Sequence, residues 1–168
     1  MIILDLDNCI SDDEWRIPKI RWGQTDPMRR YHDYHLLAGF DKLANKHLLS
    51  PDLPLVIFTA RPVMYRAITE EWLERNGIAI YALLMRNDND HRSGPDVKET
   101  QLSWLLGAYN VNKSQIVMAY DDRPEIIEMY QRNGIKAQQV AIHTVCALSP
   151  THSERISNVT RQDFECRR

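Results

Sequence analysis

The chain has 168 residues, 43% of them hydrophobic, enough for one domain with a substantial core and too few for two comfortable ones. A formal charge of -2 argues against a broadly basic surface for clamping duplex nucleic acid, although a local basic groove fits a neutral protein. Cys9, Cys146 and Cys166 are odd in number and form no C-x-x-C pair, so a reducing compartment is expected rather than a disulfide framework. Met1 leads directly into an apolar run without a basic leader or a long apolar segment, so we expect a cytoplasmic protein with no membrane partner.

The chain opens on Ile2-Ile3-Leu4, a short continuous apolar run that suits a strand buried on both faces of a parallel sheet. Asp5 and Asp7 follow where that strand ends, at the edge that opens onto the ligand crevice in α/β sheets. Strand alternation sends the two carboxylates in similar directions, so they could share one ligand; a strand running into a turn or helix cap gives the same pattern. Residues 11–26 have no clear period and read as a loop or small flap. Its Trp15 and Trp22 could stack on a flat ligand or cover the edge of the core.

Asp26-Pro27 is a helix start, and Leu36, Leu37, Phe40, Leu43, Ala44 and Leu48 carry one helix over 27–49. His32, His35 and His47 on it read as surface or packing residues, since no zinc signature accompanies them. After the breaker at 50–54, a second buried strand over 55–58 stops at Thr59-Ala60-Arg61-Pro62. A helix with Met64, Ile68 and Trp72 on one face then closes at Asn76-Gly77. A third strand is expected over 78–85, and a charged loop runs from Arg86 to Gly94.

Asp96-Val97-Lys98-Glu99 reads as a capping box, with Lys98 in the first helical turn. A lysine is disfavoured there, so it points into solvent or faces an anion. A fourth strand over 115–120 ends in Asp121-Asp122-Arg123-Pro124, a short helix closes at Asn133-Gly134, and a fifth strand covers 137–142. Alternating strands and helices imply a doubly wound, mostly parallel five-stranded α/β sheet. One domain over 1–147 is expected, with a polar tail over 148–168 that is peripheral or disordered.

Polar groups thus gather where separate elements meet one rim: Asp5, Asp7, Thr59, Lys98, Asp121 and Asp122. Clustered carboxylates repel one another unless a cation lies among them, and an all-oxygen set suits Mg²⁺. Mg²⁺ in turn points to a phosphate, with Thr59 donating to a phosphoryl oxygen and Lys98 offsetting its charge. One aspartate could attack phosphorus and another act as acid and base. Taken singly the residues have blander readings: Lys98 as a solvated side chain, Asp122 as a cap of the helix at Pro124, Arg61 and Arg86 as surface ion pairs, Cys9 as packing.

In this order, Asp5-Leu6-Asp7, Thr59, Lys98 and Asp121-Asp122 resemble the four motifs of the haloacid dehalogenase superfamily. The second half is similar to the 3′-phosphatase domain of phage polynucleotide kinase/phosphatases through Met85-Arg86, Asp96-Val97-Lys98-Glu99-Thr100 and Asp121-Asp122-Arg123. The resemblance implies a Rossmann-like fold with little or no cap beyond the 11–26 insert. It implies Asp5 as the nucleophile that forms an aspartyl-phosphate and Asp7 as the general acid and base. Thr59 and Lys98 would hold the phosphoryl group. Asp121 would bind Mg²⁺ with Asp5 and the Asp7 carbonyl, assisted by Asp122. Asn8, Arg61 and Arg86 would contact substrate.

Cys9 stands where the first motif usually has threonine, and no G-x-x-x-x-G-K-[ST] occurs, so this chain is not expected to phosphorylate 5′ ends from ATP. The function expected is a Mg²⁺-dependent phosphatase acting on a nucleotide or the 3′ end of a polynucleotide. The rivals are a phosphatase of a sugar phosphate or other metabolite, a phospho-accepting receiver module, and a metal-binding domain without catalysis.

Overall fold

The apolar triplet Ile2–Leu4 (β1) becomes the middle strand of the sheet because both of its faces are covered. The computed structural model of the protein describes residues 1–142. In chain order there follow β2 (Ser11–Asp12), a 3₁₀ helix (Glu14–Lys19), α1 (Pro27–Leu36), β3 (Lys42–Leu43), β4 (Leu55–Pro62) and α2 (Arg66–Arg75). Then come β5 (Ala82–Arg86), α3 (Gly94–Gly107), β6 (Met118–Asp121), α4 (Pro124–Arg132) and β7 (Ala137–Gln139). The main sheet is parallel throughout, in the order β5-β4-β1-β6-β7. Ile2 aligns with Leu55 on one side and Met118 on the other, so β1 and β6 finish within a residue of each other while β4 runs on past them to Pro62.

Alternate side chains of these strands feed two cores. Ile3, Val56 and Phe58 pack with Leu102 and Leu105 of α3 and with Met129 and Tyr130 of α4. Leu4, Ile57 and Leu83 pack on the other face with Trp72 and Leu73 of α2. Large apolar side chains buried in this way each contribute about 1.5–3 kcal/mol. The doubly wound α/β architecture expected from the sequence is therefore present.

Several boundaries differ from the sequence reading. The helix expected over 27–49 ends at Leu36, and the chain continues through 3₁₀ turns at Leu37–Phe40 and Lys46–Leu48 with β3 between them. β3 pairs antiparallel with β2, Ser11 opposite Leu43, in a separate two-stranded sheet. Asp41 is extended at that break, and its carboxylate is engaged by Ser11, Trp15, Arg16 and Arg61. Those bonds outweigh the helical period of the apolar residues.

The cap of α3 is Ser93 rather than Asp96, so Lys98 lies in the second turn. β4 runs on through Thr59 to Pro62, β5 begins at Ala82, β6 begins at Met118 after a 3₁₀ turn at Lys113–Gln115, and β7 stops at Gln139. The stops at Gly77 and Gly134 have φ of 67° and 74°, the left-handed conformation that glycine adopts without strain. The expected boundary at 147 and the tail over 148–168 lie outside the described residues. Among those residues no helix is long and apolar enough to cross a membrane.

Candidate active site

β1 delivers Asp5 to the rim, where its N–H bonds the carbonyl of Tyr120 at 3.0 Å. The chain then turns tightly, with the N–H groups of Cys9, Ile10 and Ser11 converging on the carbonyl of Leu6 at 3.1, 3.0 and 2.8 Å. Asn8 in this turn has φ of 56°, a left-handed conformation that asparagine tolerates better than most residues. Cys9 is fully buried behind it, and burial pushes its thiol upward, away from nucleophilic use.

Lys98 reaches this rim from α3 and is buried. Its ammonium bonds Asp5, the Phe58 carbonyl at 2.7 Å and Oδ2 of Asp121 at 3.0 Å. This is an anion facing Lys98, the second of the two readings that the sequence left open. Burial alone would lower the Lys98 pKa, but Asp121 and Asp5 raise it, so the side chain stays charged.

Asp5, Asp121 and Asp122 form a cluster whose ligand oxygens lie within 4.8 Å of one another. Burial, with Asp121, Asp122 and Asp7 adding to it, pushes Asp5 upward against the pull of Lys98. Burial and Asp121 push Asp122 up to about 6. The side chain of Asn8 donates to Asp122 at 3.1 Å, and the Arg123 N–H donates to Asp121 at 3.1 Å.

Asp7 faces two arginines instead of Lys98. Arg61 holds it through Nη2 at 2.6 Å and Nε at 3.1 Å, and Arg16 bonds the same oxygen. Burial would raise the Asp7 pKa, but Arg61 and Arg16 outweigh it and hold the carboxyl well below the usual range. Both guanidiniums are fully buried and also contact Asp41, Arg16 at 2.8 Å and Arg61 at 3.2 Å. Arg16 stacks on Tyr34, 3.9 Å from the ring centroid.

Arg16 and Asp41 were not among the site residues read from the sequence. An arginine in a loop without period reads as surface, and Asp41 lay inside the expected helix. Thr59 is fully buried, and its Oγ1 accepts the Arg61 N–H at 3.2 Å. Arg86 is half-buried and donates to the carbonyls of Asp90 and Arg92, each at 2.9 Å.

Asp5, Asp7, Asn8, Arg86 and Asp122 line one cavity of about 650 Å³. Thr59, Lys98, Asp121 and Arg61 stand behind that lining and act on its front row. Of the three histidines on the segment expected as one helix over 27–49, His32 bonds the Tyr65 hydroxyl at 2.8 Å, His47 is exposed, and His35 is buried at the cavity wall.

The family model of the polynucleotide kinase PNKP phosphatase domain matches residues 53–144. A chain of the Pnkp1/Rnl/Hen1 RNA repair complex shares the fold with a TM-score of 0.61 at 24% identity, over 83% of this chain and 41% of that one. A second chain, from the Pnkp1/Rnl/Hen1 complex, gives 0.60 at 23% identity over 83% and 45%. This chain therefore spans less than half the length of either. A haloacid dehalogenase-like family hydrolase from Streptococcus pneumoniae gives 0.59 at 13% identity over 82% of both chains. No curated protein sequence matches this chain significantly.

The fold is that of haloacid dehalogenase-like hydrolases. Within that class the chain belongs to the polynucleotide kinase PNKP phosphatase domain family, whose model covers more than half of it, and it is a phosphatase.

Proposed function

We propose that this chain is a Mg²⁺-dependent phosphatase that removes the phosphate from a nucleotide or from the 3′ end of a polynucleotide through an aspartyl-phosphate on Asp5. The observation that carries the reading is Lys98, buried against Asp5 and Asp121 at the edge of the sheet, with Asp122 in the same cluster. A nucleophilic carboxylate must stay ionised while it approaches a phosphate, and the buried ammonium beside Asp5 works toward that against the upward push of burial.

The donor set fits Mg²⁺. It consists of carboxylate oxygens alone, and the upward push on Asp5 and Asp122 is relieved by a divalent cation. Asp5, Asp121 and Asp122 would hold the ion, together with the Asp7 carbonyl. When bound, it would neutralise phosphoryl charge and orient the ester.

In the first half of the reaction an Asp5 oxygen forms a bond to phosphorus as the bond to the leaving oxygen breaks, and that oxygen takes a proton from Asp7. In the second half, water gives a proton to Asp7 and attacks phosphorus, which releases phosphate and restores the Asp5 carboxylate. Thr59 and Lys98 would stabilise the transferring group. The resting site holds Asp7 ionised, the form that accepts a proton from water. A phosphate dianion in the cavity that Asp7 lines repels a second negative charge beside it and raises the Asp7 carboxyl toward proton uptake. Asn8 and Arg86 on the cavity wall would contact the rest of the substrate.

The family match and the relatives from an RNA repair complex favour a strand end over a sugar phosphate as substrate. The test is phosphate release, with and without Mg²⁺, from 3′-phosphorylated oligonucleotides, 5′- and 3′-mononucleotides and sugar phosphates. Release from nucleotide substrates only in Mg²⁺ is expected. Turnover of sugar phosphates with silence on every nucleotide would remove the nucleic-acid part of the reading.

A further inference from the structure

The cavity has one wall that the chemical steps leave unused. Besides Asp5 and Asp122 its lining includes Ile20, Met28, Tyr31, His35 and Tyr65, a set of apolar and aromatic side chains. Arg86, Arg92 and Arg123 line the same space. That mixture of aromatic and cationic side chains suits a nucleotide, which offers both a flat apolar face and anionic oxygens. The volume of about 650 Å³ lies within the range of about 300–1,000 Å³ usual for small-ligand sites.

Two residues on this wall are prepared for a ligand. Tyr31 is half-buried, and its ring is braced edge-on by Trp22 and by Tyr34, each with centroids 6.3 Å away. Bracing of this kind fixes the ring before a flat partner arrives, which lowers the entropy lost on binding. His35 is packed between Tyr65 and Tyr34, with centroids 5.0 and 5.1 Å away, and only 9% of its surface is exposed. Its Nδ1 has no hydrogen-bond partner among the described residues. Burial, reinforced by Arg61, Arg16 and Arg86 and opposed by Asp7, pushes the imidazole down to about 3, so the ring is neutral and can donate at one nitrogen and accept at the other. The Nδ1 itself is closed off from the cavity, so the nitrogen that this neutral ring offers a substrate is Nε2.

We propose that Tyr31 and His35 form the subsite for the nucleoside that carries the scissile phosphate, Tyr31 stacking on its base and His35 hydrogen-bonding to the same nucleoside. The assignment rests on the reading that the substrate is a nucleotide or strand end. It gives the α1 segment a task in substrate selection, and it accounts for Trp22 as a brace of the stacking ring rather than as the stacking surface itself.

The test compares KM and kcat of the full chain on a 3′-phosphorylated oligonucleotide and on the same strand ending in an abasic 3′-phosphate. Tyr31→Leu is expected to raise KM about tenfold on the intact strand, the size of effect that loss of one base–aromatic stack produces, with a much smaller rise on the abasic strand. Tyr31→Phe keeps the ring face and is expected to behave like wild type. His35→Phe, which preserves the packing and removes both ring nitrogens, is expected to raise KM on the intact strand with Tyr31 in place. An equal change on the two strands, or none on either, in an enzyme that is otherwise active would overturn the subsite and leave the proposed function standing. Wild-type silence on every 3′-phosphorylated nucleotide would overturn both.

Discussion

Arg61 grips Asp7 through two atoms, Nη2 at 2.6 Å from one carboxylate oxygen and Nε at 3.2 Å from the other, although 54 residues separate them in the chain. Arg16 closes on the same carboxylate from the other direction, and Asp41 joins the two guanidiniums behind it. Two buried cations thus balance two carboxylates, and none of the four can be removed without leaving charge uncompensated.

Truncating Arg16 should show this directly. Arg16→Ala strips Asp41 of its main partner and is expected to destabilise the fold by about 3–5 kcal/mol, the usual cost of breaking a buried pair from one side. In Arg16→Ala with Asp41→Asn part of that loss should return, because the orphaned charge is gone. Urea unfolding of the two variants checks it. Additive losses would contradict the pairing.

His35 gives a pH dependence with a definite sign. Its pKa is about 3 in the fold and near 6.5 when exposed. Between those values the unfolded chain binds a proton that the folded one does not, so stability present above pH 6.5 is lost as pH falls toward 3. Lowering the pH from 7.5 to 5.0 should cost wild type about 2 kcal/mol more than His35→Gln. Urea midpoints at the two pH values measure the difference. Equal losses would mean that His35 titrates freely.

Much of this arrangement was legible in the residues themselves. Ile2–Leu4 and the first half of β4 are unbroken apolar runs, and each meets acid or threonine where the strand reaches the rim. Asp5, Lys98, Asp121 and Asp122 come together as their order along the chain implied. The segment 27–49 was misleading because Leu36, Phe40, Leu43 and Ala44 keep helical spacing while Asp41 and the β2–β3 pairing impose an extended chain. Ser93 and Asp96 can each open a helix, and the earlier start is the one made, with the Ser93 hydroxyl accepting the Asp96 N–H. Arg16 left no local signal at all. Its partners Asp7, Asp41 and Tyr34 come from three separate segments, and such long-range pairing has no period to detect.

Lys98 should be decisive for rate. Lys98→Met preserves bulk but leaves Asp5 and Asp121 without the ammonium they share, and kcat is expected to fall about 10²-fold or more, as when a preorganised charge is removed from a transferring phosphoryl group. Lys98→Arg should not rescue it, since a planar fork does not reproduce a compact charge 2.7 Å from the Phe58 carbonyl. Phosphate release under saturating substrate is the readout. Activity within a few-fold of wild type would contradict the assignment.

Mg²⁺ should stabilise the folded chain by mass action, by about 2.7 kcal/mol at a hundredfold excess over its dissociation constant. Asp122→Asn should weaken that response, because it removes one of the three clustered carboxylates, whereas Asp52→Asn on the exposed surface should not. Thermal melts across a Mg²⁺ titration separate the two variants. An identical response in Asp5→Asn, Asp121→Asn and wild type would place the ion elsewhere.

The most direct measurement of the central claim is Mg²⁺-dependent phosphate release from a 3′-phosphorylated oligonucleotide by wild type and by Asp5→Asn, with acid quenching to trap phosphate on the protein. Release by wild type, with label held on the chain during turnover and both lost in Asp5→Asn, is the predicted result. Release that persists in Asp5→Asn would show that another group attacks phosphorus, and the account of this site would fail.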